Sequence, residues 1–181
     1  MIKFLNDSHV NLKRVRKSTN SITFIKTTIM KYSLLFILLL SAFSLYPQDS
    51  TEMKVQRTIE TFFDGFHRGD TLLMKSVVHE DIKLRTTLRN KEGVDILVSE
   101  EFDNLLHVIG TRPDDQKWDE RILVYKINVV ANLAHVWTPS EFWYNDTFSH
   151  CGVNSFQLFN DNGNWKIIYL VDTRRKANCD H

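Results

Sequence analysis

Cysteine, proline and glycine are all scarce here, and each shortage excludes something. The 181-residue chain holds two Cys, three Pro and six Gly. Collagen-like and low-complexity architectures need far more glycine and proline than this. Two cysteines cannot staple a disulfide-built miniprotein, and Cys151 and Cys179 lack the short spacing of a zinc pair. An excess of one charge is also missing. The chain has 23 Lys/Arg and 22 Asp/Glu, of which seven and two lie in residues 1–49; 16 and 20 remain from residue 50 onward, a net of −4. Nucleic-acid binders generally present a basic face, so no nucleic acid is expected as a partner. No apolar run reaches the roughly 20 residues of a bilayer-spanning helix. There is no P-loop, no Gly-x-Ser-x-Gly, no dinucleotide fingerprint and no His-x-x-x-His pair. Nothing in the chain calls for a metal or a cofactor, and none is expected.

What is present begins with Leu34–Tyr46, thirteen mainly apolar residues behind Lys31. That is too short to span a membrane and the right length for a signal-peptide core of about 7–15 residues. Ala42-Phe43-Ser44 sets small residues for a cut after Ser44, and Pro47-Gln48 offers a cut slightly later. Residues 30–48 therefore read as a signal peptide, and the domain as exported, either periplasmic or secreted. The alternative is an uncleaved N-terminal anchor, the only membrane contact expected. Residues 1–29 precede a natural start at Met30-Lys31 and read as an upstream extension or a disordered segment. In an exported protein an even cysteine count suggests a disulfide, so Cys151 and Cys179 are either bridged or two unpaired thiols.

Residues 50–176 read as one domain, with 177–181 as a tail. Val55, Ile59, Phe62, Phe63 and Phe66 form one stripe at helical spacing, predicting a helix over Thr51–Arg68 capped by Ser50 and stopped by Gly69. Asp70 caps a second helix, Thr71–Val78. Ile82–Thr86 alternates like a strand. Val94, Leu97, Val98, Phe102, Leu105, Leu106 and Ile109 predict a third amphipathic helix, ended by Gly110. The period then changes to two. Strands are expected over Glu120–Val130, Leu133–Tyr144, Phe148–Phe159 and Trp165–Asp172. The Asn162-Gly163 pair between the last two marks a type I′ hairpin, whose central residues both need positive φ. Helices gathered early and strands late give an α+β class, with three helices packed on one face of a curved antiparallel sheet.

Three features together resemble a known superfamily: the opening helix ending in Phe66-His67-Arg68-Gly69-Asp70, the element order, and the Asn162-Gly163-Asn164-Trp165-Lys166-Ile167 closing hairpin. Over about residues 52–175 the chain resembles the NTF2-like superfamily of cone-shaped α+β proteins. Within it the chain is most similar to the lumazine-binding and SnoaL-like branch of small exported bacterial proteins. The resemblance implies an apolar cavity between sheet and helices, and a homodimer. It carries over no catalytic residues, because neither the ketosteroid isomerase set nor the His-Asp pair of scytalone dehydratase can be located.

Strand alternation nominates the cavity lining. Counting through the two turns sets Trp137 opposite Phe156, Glu141 opposite Gly152, Trp143 opposite His150, and Asn154 opposite Val171. One face then collects His135, Trp137, Glu141, Trp143, His150, Asn154, Phe156, Ile167, Tyr169 and Val171. A one-residue slip would exchange the faces. On this register Trp137, Trp143, Asn154, Phe156 and Tyr169 line a pocket. Glu141, desolvated between two tryptophans, is the sharpest acid/base candidate. His135 or His150 would shuttle a proton, and Tyr169 would donate to a developing oxyanion. Asp172-Thr173-Arg174-Arg175 reads as anion capture by two arginines or as Asp172 bridging one of them. Three functions follow. The first is a binder of an apolar or aromatic small molecule. The second is a cofactor-free isomerase, dehydratase or cyclase in the same cavity. The third is a dimeric interaction domain whose cavity is filled by side chains.

Overall fold

The computed structural model describes residues 50–179. The segments expected to be an upstream extension (1–29) and a signal peptide with its cleavage site (30–48) lie outside the described residues. Helix α1 (Thr51–Arg68) begins where the Ser50 side chain accepts from the Met53 N–H, and ends at Gly69. Its stripe is buried as expected, with Val55 and Ile59 fully covered and Phe62 2% exposed. Burying each such side chain stabilises by about 1.5–3 kcal/mol. Asp70 caps α2 (Thr71–Ser76) by accepting from the Leu73 N–H at 2.9 Å.

Strand β1 (Val78–Arg89) is longer than the expected Ile82–Thr86. After an Asn90–Gly93 turn comes β2 (Asp95–Glu100), and then α3 (Phe102–Gly110). The third helix expected from Val94 is thus half strand. Val94, Leu97 and Val98 have helical spacing, but β1 has a free edge and Ile96-Leu97-Val98 pairs with it, at Leu88, Thr87 and Thr86. Tertiary pairing overrides the local pattern. Arg89 closes this hairpin with two hydrogen bonds to Asp95, at 2.8 and 3.1 Å.

The expected Glu120–Val130 strand is two: β3 (Trp118–Ile122) and β4 (Lys126–Val130). Both pair with β5 (Leu133–Tyr144). Pro139 explains the break. Its carbonyl accepts from Leu123 N–H at 2.9 Å, so its nitrogen faces the same edge. That nitrogen has no hydrogen to donate. Strands β6 (Thr147–Asp161) and β7 (Asn164–Arg175) complete the sheet. Asn162 and Gly163 both have positive φ, 51° and 95°, as the type I′ turn requires.

The sheet is curved and unclosed, in the order β2-β1-β7-β6-β5-β3, with β4 also on β5. It is mixed rather than wholly antiparallel: β1 runs parallel to β7. The helices α1, α2 and α3 pack on it, and one core unites Val55, Ile59 and Phe62 with Val136, Phe156, Leu158 and Ile167.

Two bulges decide which residues face that core. Near the closing turn, pairing follows the count, with Leu158 opposite Ile167. Ile168 is then extra, and beyond it Asn154 faces Asp172 and Phe156 faces Leu170. A second irregularity beside Ser149 sets Trp137 opposite Ser155, Glu141 opposite Cys151, and Phe142 opposite His150. The buried face of β5 is therefore Ala134, Val136, Thr138 and Ser140. An extra residue in one strand flips every side chain beyond it.

Cys151 and Cys179 are bonded, with Cα atoms 5.8 Å apart, and the tail is thereby tied to β6. Closing a loop of this separation is worth about 3–4 kcal/mol on a chain-entropy account.

Gly152 is where β6 and β7 leave no room. A Cβ there would stand 1.8 Å from the Thr173 carbonyl oxygen. Gly152→Ala is expected to lower unfolding free energy by about 1–3 kcal/mol, read as a reduced urea midpoint at unchanged slope. An unshifted midpoint would show that β7 yields freely.

Candidate functional site

Between the helices and the sheet lies a cavity of about 380 Å³. Its aromatic wall is a chain of ring contacts. Phe66 of α1 touches Trp118 of β3 at 5.8 Å and Phe142 of β5 at 6.3 Å, and Phe142 tilts against His150 at 5.1 Å. Phe62 and Phe63 extend the wall, and Leu84, Leu105, Val108 and Leu170 close the far side. Such wall-to-wall aromatic contacts follow from the α1 stripe meeting the bulged face of β5.

Set in this wall is a polar cluster. Asn154 on β6 donates through Nδ2 to Glu120 Oε1 at 3.0 Å and to Ser140 Oγ at 3.1 Å. Thr138 donates to the Asn154 carbonyl at 3.2 Å. Asn154 is 6% and Ser140 3% exposed. Nearer the rim, Asp172 accepts from Thr86 Oγ1 at 2.5 Å and from Arg174 Nε at 2.6 Å. This ion pair is the Asp172–arginine bridge that was one of the two readings of this segment. Burial followed by the Arg174 charge lowers the pKa of His150, against the opposing pull of Asp172.

His67 holds Glu120 in place. Its Nε2 accepts the Glu120 N–H at 2.9 Å, and its ring stacks on Phe63 at 6.2 Å. The same nitrogen lies 3.1 Å from the Glu120 carbonyl oxygen, so the neutral ring with a bare Nε2 accepts the N–H, whereas a protonated Nε2 would donate to the carbonyl. Burial lowers the His67 pKa, outweighing the raising effects of Asp119 and Glu120. Arg112 braces the same corner, donating to the Phe66 and His67 carbonyls at 3.3 and 2.8 Å at the end of α1. Its guanidinium lies 5.2 Å from the Trp118 ring centroid. A cation at a helix C-terminus suits the local dipole.

Of the residues nominated from sequence, His150 and Asn154 line the cavity. Phe156 is fully buried beneath it, edge-on to Phe62 and Phe63 at 6.3 and 5.9 Å. Ile167 is likewise buried in the core; Trp137, His135, Glu141, Trp143, Tyr169 and Val171 lie on the opposite face, and this corrects their placement. Trp137 is 42% exposed. His135 bonds to Ser155 at 3.1 Å, and Glu141 accepts from Trp143 Nε1 at 3.0 Å. Trp143 sits under the Arg121 guanidinium at 4.2 Å, and Tyr169 pairs with Gln157 and Lys83. The cause is the pair of bulges: one turns the even residues of β5 inward, and the other replaces Tyr169 and Val171 by Leu170 and Asp172. The alternation also missed Glu120, Ser140 and Phe142. Ser140 and Phe142 alternate with residues that were counted, so a register shifted by one would have found them, whereas Glu120 lies on a strand outside the count. No local signal marks His67 as the holder of β3.

The family model described as "Putative lumazine-binding" matches residues 50–171. Solved structures agree in fold. An NTF2-like protein from Cytophaga hutchinsonii is 14% identical, with 70% of this chain and 100% of that one covered, at a TM-score of 0.56. An NTF2-like protein of unknown function from Methylobacillus flagellatus is 16% identical, covering 71% and 96%, at 0.52. One from Shewanella baltica is 12% identical, covering 72% and 100%, also at 0.52. No curated protein matches the chain.

The two lowered histidines set the sign of the pH response. A base whose folded pKa is depressed contributes stability above its unfolded value, near 6.5, and that contribution is lost as pH falls through the folded value. Stability is therefore expected to drop between pH 7.5 and 5. His67→Gln, whose amide oxygen can still accept the Glu120 N–H, should flatten that drop. Urea unfolding at both pH values measures it, and an equal drop in the variant would remove His67 as a contributor.

Proposed function

Since the chain belongs to the family described as "Putative lumazine-binding", we propose that it binds a small, flat aromatic molecule in the cavity, without a cofactor. The observation that carries this is the cavity itself: about 380 Å³, open, and walled by Phe62, Phe63, Phe66, Trp118 and Phe142 around a few polar groups. Ligand sites usually span about 300–1,000 Å³ and combine an apolar lining with sparse, well-placed hydrogen-bonding groups. An open cavity also argues against the third function expected from sequence, in which side chains fill it.

One observation favours turnover as a second reading. Glu120 lines the cavity, and only its Oε1 receives a hydrogen bond among the described residues. Its Oε2 is then available as a base for an isomerase, dehydratase or cyclase, the role first given to Glu141. Glu120→Gln separates the two: full affinity with lost turnover supports catalysis, and unchanged turnover removes Glu120 from it.

The reading includes export and a homodimer. The Cys151–Cys179 bond supports an oxidising compartment, where such bonds persist. Trp137 and Phe148, 42% and 37% exposed, supply apolar surface for a second copy.

Lumazine is the first probe. Titration is expected to change Trp118 emission saturably. Phe66→Ala, which removes the ring joining Trp118 to Phe142, should weaken binding about tenfold. Absence of any saturable change, with calorimetry also silent, would count against the cavity as a lumazine site. Native mass spectrometry of protein from the exported fraction reads three more things: a bound small molecule, two subunits, and an N-terminus following Ser44 or lying near Gln48. Protein retained in the cytoplasm with residues 1–48 attached would reject export.

A further inference from the structure

The polar cluster in the cavity wall leaves one donor and one acceptor without a partner, side by side. Asn154 donates to the Glu120 carboxylate, and a carboxylate oxygen offers that bond only an acceptor. This fixes the Asn154 amide with its nitrogen toward Glu120. Its second N–H goes to Ser140 Oγ at 3.1 Å. Both amide hydrogens are then used, and Oδ1 receives nothing from the described residues. Ser140 Oγ, already accepting, keeps a hydroxyl hydrogen that no described group takes. Both residues line the cavity. Among the described residues, the one side-chain polar atom sealed from solvent without a partner is Trp165 Nε1. The Asn154 oxygen is therefore open rather than entombed.

We propose that Ser140 and Asn154 read a lactam edge, a ring carbonyl beside a ring N–H, and so select pyrimidinedione- and pteridinedione-type heteroaromatics over plain aromatic hydrocarbons. Ser140 O–H donates to the ligand carbonyl, and Asn154 Oδ1 accepts the neighbouring N–H. Glu120 Oε2 adds a second acceptor beside them, which favours a ligand edge richer in N–H than in carbonyl lone pairs. The aromatic wall grips the faces of the ring system, and these three groups judge its rim. A hydrocarbon of the same shape would strip water from Ser140 and Asn154 and return no hydrogen bond, the costliest outcome for a buried polar group. Because the Asn154 amide is held at both hydrogens, it has no alternative rotamer with which to accommodate the wrong edge.

This rests on the cavity being the binding site, and the test separates the two. Three probes of similar size are titrated by calorimetry: lumazine, its di-N-methyl derivative, and naphthalene. Lumazine should bind about tenfold or more tightly than either of the others. Ser140→Ala and Asn154→Leu should each erase that preference, lumazine losing affinity while naphthalene holds or gains. Ser140→Ala deletes a single oxygen and keeps the test alive if Asn154→Leu fails to fold, as thermal melts will show. Equal binding of lumazine and its N-methylated form overturns the lactam edge while leaving the cavity as an aromatic site. Naphthalene as tight as lumazine overturns polar reading of any kind. No binding of any probe overturns the cavity reading and this inference together.

Discussion

Val55, Ile59 and Phe62 of α1 lie on Val136, Phe156 and Ile167 of the sheet, and that contact positions everything else. It joins the first element of the domain to the last three, so no sub-fragment keeps the core. It also sets how far Phe62, Phe63 and Phe66 reach along the sheet. Where the sheet curves away from the end of the helix, packing stops and the cavity begins. The rings that finish the core on one side are thus the rings that wall the cavity on the other. A scaffold of this kind spends the same aromatic side chains on stability and on recognition.

The polar groups are placed by a different constraint. A hydrogen-bonding side chain inside an apolar wall must be satisfied by its neighbours or by a ligand. Asn154 ties β6 to β3 through Glu120 and to β5 through Ser140, and His67 ties β3 to α1. Four elements are thus linked through Glu120 and Asn154. The protonation of His67 matters to that arrangement, because Nε2 meets both the N–H and the carbonyl of Glu120: a neutral ring accepts from the first, and a protonated ring would donate to the second. The titration behaviour of the molecule and the geometry of its cavity are in this way coupled at one backbone amide.

Much of the molecule was legible from residues alone, where the signal was local. The α1 stripe, both N-caps, the Asn162-Gly163 turn and the outline of β5, β6 and β7 depend on nearest neighbours and on periods of 3.6 and two. The split of the expected Val94–Ile109 helix was not legible, since β2 exists because β1 offers an edge. The lining of the cavity was legible only in small part, for a related reason. His150 and Asn154 lie on β6, whose inward face was assigned correctly. Glu141, Trp137 and Tyr169 lie beyond a bulge on strands whose phase is set by their partners, and Trp143, on the turn side of one, pairs with Phe148 rather than His150.

Composition and pattern by themselves settled the class, the single core and the helix that covers it. They could do so because burial follows the identity and spacing of side chains within one element. Tertiary structure alone decided which carboxylate faces inward, Glu120 or Glu141. That choice turns on the extra residue at Ser149, as the choice of Leu170 and Asp172 over Tyr169 and Val171 turns on Ile168, each costing one ladder step and exchanging both faces of a strand. Two such phases carry almost no trace in either strand read singly, because phase is a property of a pair.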